Sequence, residues 1–249
     1  MEIRAIIPAA GKGTRLHSEQ FDAPKAMRLC AGKPLLETVL DSVSFVNKEN
    51  IYIVVGYKKE HILQYFQQPY HFVEQIQQRG TGDAVMACAD AFRDFDGVVL
   101  VTFGDMPLFR REDMQAMCRK VEEEGADCVL MSAENPELDQ WARIIRDENG
   151  DFQAIIEGRD CTKEQAKTRE LFAGVLCFRS PSLFSILPQV GHDNAQGEYY
   201  LTEVPELMVK NHMKVSTYAI KDGNDLRGVN TLEDLERCEA ELNKRLTSK

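Results

Sequence analysis

No apolar run approaches the roughly 20 residues of a bilayer-spanning helix, and charge at Glu2 and Arg4 precedes any apolar stretch. Neither a membrane span nor a secretory leader is expected. The seven cysteines, Cys30, Cys88, Cys118, Cys128, Cys161, Cys177 and Cys238, never fall as C-x-x-C. Small thiols in a reducing compartment are expected rather than a disulfide framework or a zinc site, which makes the expected localisation cytoplasmic. Excess positive charge is missing too. Thirty Lys and Arg against 40 Asp and Glu give a net charge of -10, which argues against a general nucleic-acid or membrane-surface binder. His61 and His71 have no acid, Cys or second His at ligand spacing and read as bystanders. No low-complexity stretch or long linker divides the 249 residues, so one large α/β domain is expected.

What is present is concentrated first in IRAIIPAAGKGTRLHSEQFDAPK, from Ile3 to Lys25. A short apolar run, Ile3 to Ile7, reads as a buried strand, and the composition then changes abruptly to Ala, Gly, Lys and Arg. Gly11 and Gly13 let backbone N–H groups approach an anion closely. Lys12, Arg15 and Lys25 add positive charge, a set that suits a polyphosphate. An ion pair at about 4 Å near a protein surface is worth roughly 4 kcal/mol before desolvation. The spacing is not G-x-x-x-x-G-K-[ST], and Leu16 occupies the place of the third glycine in G-x-G-x-x-G, so neither a P-loop ATPase nor a Rossmann dehydrogenase is favoured.

The pattern then alternates. Pro34 opens a helix with Leu35, Leu36, Val39, Leu40 and Val43 at helical spacing; Ile51 to Val55 and Val98 to Thr102 read as buried parallel strands. A helix is expected around His61 to Phe66, another from Arg111 to Glu123, and a strand from Asp127 to Met131. Arg143 to Asp147 and Phe152 to Glu157 are joined through Asn149-Gly150, a hairpin signal. Leu171 to Phe178 supplies a further strand, Val204 to Val209 a helix, and Lys214 to Ile220 an edge strand. Thr231 begins the last helix.

Three stretches carry candidate chemistry. In Gln75 to Ala84, side-chain amides precede G-T-G, with Thr81 placed to cap a helix from Asp83 to Phe92. The residues alone fit a nucleobase pocket and a plain capped helix equally. Asp105 follows the Val98 to Thr102 strand in F-G-D-M-P. Ligands of open parallel sheets bind outside the strand carboxyl ends, so Asp105 should face the crevice bordered by the first loop, where a carboxylate beside phosphates invites magnesium. Asn230, in G-V-N-T, offers a neutral oxygen that could complete that metal site.

Taken together, A-A-G-K-G-T-R, P-K, Q-x-x-Q-x-G-T-G-x-A, G-D-x-P, R-I-I-R-D-x-N-G, I-I-E-x-x-D-x-T, N-A-Q-G-E-Y-Y-L-T-E and G-V-N resemble the sugar-1-phosphate nucleotidyltransferases. Within them the likeness is to the N-acetylglucosamine-1-phosphate uridylyltransferases, the amino-terminal half of a bifunctional bacterial enzyme, from Ile3 to about Leu235. The resemblance implies an α/β, Rossmann-like, mostly parallel sheet of the glycosyltransferase-A-like kind with an antiparallel sugar-binding insertion. About 1–135 and 214–249 would form the nucleotide core and about 136–213 the insertion. It implies UTP and a sugar-1-phosphate as substrates, Mg2+ as cofactor, and no nucleic-acid or membrane partner. Arg15 and Lys25 would be catalytic; Ala10, Gly11, Gly13, Thr14, Gln75, Gly80, Thr81 and Gly104 would hold the nucleotide; Asp105 and Asn230 would bind the metal.

On the sugar side, Ala142, Glu157 and Phe172 stand where the family binds its sugar, and here the chain departs from the pattern. Ala142 replaces a glycine, and Phe172-Ala173 stands where the family has Asn-Thr, so a hydrogen bond to the sugar is lost and sugar discrimination should change. The loop between Arg15 and Pro24 is also longer than is usual. No hexapeptide period occurs, so the acetyl-transfer half of the bifunctional enzyme is not expected. Two other readings remain at this level: the same chemistry with dTTP, CTP or GTP, and a non-catalytic sensor of nucleotide sugars.

Overall fold

A computed structural model describes the chain except for residues 14, 15, 17–21, 67, 68, 139, 195, 248 and 249. Its strands are β1 (Ile3–Pro8), β2 (Leu29–Cys30), β3 (Lys33–Pro34), β4 (Ile51–Val55), β5 (His71–Glu74), β6 (Val98–Thr102), β7 (Cys128–Glu134), β8 (Arg143–Arg146), β9 (Phe152–Ile156), β10 (Glu170–Arg179) and β11 (Val215–Ala219). The helices are α1 (Leu35–Ser42), α2 (Lys59–Tyr65), α3 (Thr81–Met86), α4 (Arg111–Glu124), α5 (Ser180–Ile186), α6 (Val204–Lys210) and α7 (Leu232–Thr247).

The main sheet runs β11-β7-β10-β6-β1-β4-β5, with the β8–β9 hairpin attached through β10. β1 pairs in parallel with β4 and β6, β4 with β5, and β7 with β11; β10 is antiparallel to both β6 and β7. Six strands therefore point one way and β10 alone points back among them. β4 and β6 are buried at every residue because helices cover both faces, which is why they read as continuous apolar runs rather than as alternation.

The period of two still sorts the core. Ala5, Ile7, Ile53, Val55 and Leu100 join one cluster with α1, α2 and α4, whereas Ile6, Tyr52, Val54, Val99 and Val101 join another with α3, α5 and α6. Each such side chain contributes roughly 1.5–3 kcal/mol by leaving water. A third, smaller cluster of Leu16, Cys30, Leu35, Leu108, Val229 and Cys238 seats α7. That helix is also tied by Arg245, which donates to the Leu108 carbonyl at 2.7 Å and pairs with the buried Asp225, itself 2.7 Å from Arg110 Nε.

Most expected elements form near their expected bounds, and β11 lies at one edge of the sheet as expected. Two depart. The helix expected from Asp83 to Phe92 starts at Thr81, stops at Met86 and gives way to a 3-10 turn, Ala89–Phe92. Thr81 does not cap it. Gly80 is the cap residue, and the Thr81 hydroxyl accepts instead from the Leu201 N–H at 3.0 Å. The second departure is β10, which crosses the centre of the main sheet and bulges between Phe172 and Leu176. Gly174, at φ +73, occupies that bulge against Phe103 and Met106, a conformation other residues adopt only with strain.

Candidate active site

Because β1, β4, β5 and β6 are parallel, their carboxyl ends open at one edge, and the loops leaving them are stitched together there. Ala9 N–H donates to the Val54 carbonyl at 2.8 Å, Tyr57 N–H to Ala10 at 3.1 Å, Gln75 N–H to Val55 at 2.8 Å, and Gly104 N–H to Pro8 at 3.0 Å. A Cβ on Gly104 would lie 3.2 Å from Ala9 Cβ and 3.3 Å from the Pro8 carbonyl, so Gly104 permits this close approach. Gly13 sits at φ +69, and a Cβ on Gly11 would meet nothing, which leaves the backbone open on that side. Lys12 Nζ lies 5.7 Å from the Tyr57 ring. Thr14 and Arg15 lie outside the described residues.

Lys25, Asp105 and Asn230 meet. The Lys25 ammonium forms an ion pair with Asp105 Oδ2 and donates to Asn230 Oδ1 at 2.9 Å, although the residues are 80 and 205 positions apart in the chain. Their convergence is built in the backbone. The Val229 N–H donates to the Asp105 carbonyl at 2.9 Å, and Gly228 lets the turn pack there, since a Cβ on it would fall 2.3 Å from Met106 Sδ. Asp234 accepts from the Asn230 and Thr231 N–H groups at 3.0 and 2.8 Å, while Thr231 Oγ1 accepts from Asp234 N–H at 3.1 Å. This reciprocal cap starts α7 and fixes Asn230 beside it. Two oxygens from distant segments thus already aim at one cation. Among the described residues no group of three or more His, Cys, Asp or Glu side chains could hold a metal.

The G-T-G turn faces another part of the site. Gly80 has φ +118 and ψ 177, and a Cβ there would lie 2.6 Å from the Tyr199 carbonyl. Tyr199 N–H donates to the Arg79 carbonyl at 2.8 Å and Gly82 N–H to the Tyr199 carbonyl at 2.7 Å. The turn is therefore stapled to the N-A-Q-G-E-Y-Y-L-T segment. Gln75 is buried beside it, its Nε2 donating to the Gly80 carbonyl at 3.1 Å and to Asp83 Oδ2 at 2.8 Å. Asp83 has no role legible in the sequence, because its position eight residues after Gln75 across a glycine turn carries little signal without the fold.

The sugar-side residues behave differently. Phe172 N–H donates to the Ala142 carbonyl at 2.9 Å, and both side chains are buried in the apolar cluster, 5% and 7% exposed. Glu157 is partly buried and accepts from Thr202 Oγ1 at 3.1 Å; burial raises its carboxyl above the ordinary value. It borders a cavity of about 360 Å3 shared with Asp160, Asp193, Tyr200, Glu203 and Lys210. Neither Lys25 nor Asp105 lines that cavity. A larger one, about 590 Å3, lies between α1 and α2 and contains none of the expected residues.

Residues 5–202 match the MobA-like NTP transferase domain family. The chain belongs to that family. Within it, the chain is 40% identical over 225 residues to the bifunctional protein GlmU of Lactobacillus gasseri, an alignment covering 90% of this chain and 48% of that protein. It is 36% identical over 247 residues to the bifunctional protein GlmU of a Synechococcus species, covering 98% and 53%. The chain spans about half the length of the relatives it matches. A solved UDP-glucose pyrophosphorylase complexed with UDP-glucose superposes with a TM-score of 0.79 at 18% identity, over 98% of this chain and all of that one. The mostly parallel α/β fold and the nucleotidyltransferase class implied by the motifs are those of this family. No described helix is long and apolar enough to cross a membrane.

Proposed function

We propose that this chain transfers a uridylyl group from UTP to a sugar-1-phosphate, giving a UDP-sugar and pyrophosphate with Mg2+ as the metal. An oxygen of the sugar phosphate forms a bond to the α-phosphorus of UTP as the bond from that phosphorus to the bridging oxygen of pyrophosphate breaks. The observation that carries the reading is the convergence of Asp105 Oδ2 and Asn230 Oδ1 on a single cation at the open strand ends. A hard divalent ion takes oxygen ligands and shares itself with phosphates, so two protein oxygens suffice when triphosphate oxygens and water supply the rest. Bound there, Mg2+ would neutralise charge on the reacting phosphates.

The chain's own groups would do the positioning. Backbone N–H groups around Gly11 and Gly13, with Arg15, would hold the phosphates. Lys25 would turn from the two oxygens it now engages to the transferring phosphoryl group, where a fixed cation is worth most in a site that excludes water. Gln75, Gly80 and Thr81 would receive the uracil. Glu157, on the 136–213 segment, would accept from a sugar hydroxyl. With Phe172 and Ala142 buried and apolar, the accepted hexose phosphate should differ from N-acetylglucosamine-1-phosphate or be less strictly chosen.

The test is pyrophosphate release with magnesium, crossing each nucleoside triphosphate with a panel of sugar-1-phosphates. Release that requires UTP together with a sugar phosphate supports the reading. Release with another nucleotide alone would change the base, and no release with any pair, alongside binding of a UDP-sugar, would leave a sensor.

A further inference from the structure

The Gln75 side chain is held by acceptors only. Its Nε2 donates to the Gly80 carbonyl at 3.1 Å and to Asp83 Oδ2 at 2.8 Å, and neither oxygen can donate in return. Arg79 holds the other oxygen of Asp83, its Nε and Nη2 donating to Oδ1 at 3.1 and 2.6 Å. The Asp83 side chain is 13% exposed and Gln75 5%, so water offers little competition. An amide can ordinarily turn over and exchange its donor for its acceptor. Here the reversed amide would set Gln75 Oε1 against two oxygens, and leaving a buried donor or acceptor unmade is costly. Oε1 itself takes no hydrogen bond among the described residues.

We propose that Asp83, steadied by Arg79, is a positioning residue that sets which base this site accepts by locking the Gln75 amide with its carbonyl oxygen outward. The inference rests on the nucleotide reading above, in which Gln75 meets the base. An outward acceptor selects a base whose pairing edge carries a ring N–H. Uracil and thymine have one at N3 and guanine at N1, whereas cytosine N3 and adenine N1 are themselves acceptors. Gly80, confined to a backbone shape that only glycine adopts freely, supplies the second clamp from the main chain, so the one adjustable member is residue 83.

In Asp83→Asn a single carboxamide oxygen must serve two donors. The charged Arg79 keeps it, the new amide N–H faces Gln75, and Gln75 turns its own N–H outward. The experiment is the equilibrium dissociation constants of UTP and CTP, measured by calorimetry on wild type, Asp83→Asn and Asp83→Ala in magnesium, with melting temperatures alongside. Wild type should prefer UTP by roughly 10-fold or more, the scale of one unmade buried hydrogen bond. Asp83→Asn should cut that ratio by roughly 10-fold, and Asp83→Ala, which removes one clamp of two, by a smaller factor. An unchanged ratio in both variants, with both nucleotides weakened equally, would reduce Asp83 to a structural residue and overturn the proposal. Because binding is read without turnover, lack of pyrophosphate release would break the catalytic reading while leaving this ratio to stand or fall by itself.

Discussion

The proposed metal end and the proposed sugar end of the site are built in opposite ways. Asp105 and Asn230 come from segments more than a hundred residues apart, yet their oxygens point at one ammonium, and a backbone bond, a glycine and a helix cap hold them so. Ala142, just before β8, and Phe172, in β10, are hydrogen-bonded neighbours, yet both face the apolar core. Hydrogen-bonded charged groups at an open edge can meet a charged ligand, whereas a buried phenylalanine needs no ligand to explain it. The proposed metal end therefore gathers groups that can meet ligand charge, whereas at the proposed sugar end Phe172 and Ala142 are packed where the resemblance implies a polar contact.

Five substitutions separate these two ends. Asp105→Ala and Asn230→Ala should each lower turnover by roughly 100-fold or more, the scale of losing charge stabilisation at the reacting phosphates. Near-normal kcat in saturating magnesium would remove the two residues from the metal site. Phe172→Asn should instead cost stability, about 3–5 kcal/mol on the scale of emptying a large aromatic site, seen as a fall in Tm of roughly 10 °C. A stable Phe172→Asn protein with a new preference for N-acetylglucosamine-1-phosphate would show that residue 172 reaches the sugar after all.

Lys25→Met should reduce kcat roughly 10-fold or more while moving Tm by no more than about 4 °C, because a partly exposed ion pair is worth little to folding. Comparable losses of activity and stability would make Lys25 a structural bridge. The smallest effect concerns Glu157. Its carboxyl is raised by burial, so the folded state binds the proton more tightly than the unfolded state does. Stability from that group is complete below its unfolded value near 4.5 and is lost as pH rises through the raised folded value. Wild type should thus lose stability relative to Glu157→Gln as pH climbs above that point; parallel Tm curves would mean that the carboxyl is well solvated.

The fold was legible because its parallel strands are unbroken apolar runs ending in glycine-rich or acidic loops, and Ile51–Val55 and Val98–Thr102 form as their composition requires. Asp105 and Asn230 were legible as polar residues just past a strand and just before a helix. What the sequence hid depends on contacts across the chain. Thr81 looked like a helix cap because its local spacing is right, but the Leu201 N–H claims its hydroxyl from 120 residues away. β10 falls inside the segment expected as the sugar-binding insertion, yet its long apolar run pairs with β6 and β7 in the main sheet. The burial of Phe172 follows from that same placement, and the clamp on Gln75 is invisible until the turn at Gly80 brings Asp83 back.

In the proposed reaction the seat now filled by the Lys25 ammonium becomes the seat of a divalent ion in the nucleotide complex. Electron paramagnetic resonance of Mn2+, titrated into wild type and Asp105→Ala with and without UTP, tests it without relying on turnover. Free wild type, where the ammonium competes, should bind Mn2+ weakly and should bind Mn2+ together with UTP tightly, and Asp105→Ala should lose that ternary binding by roughly 10-fold or more. Equal binding of Mn2+ and UTP by the two proteins would contradict it.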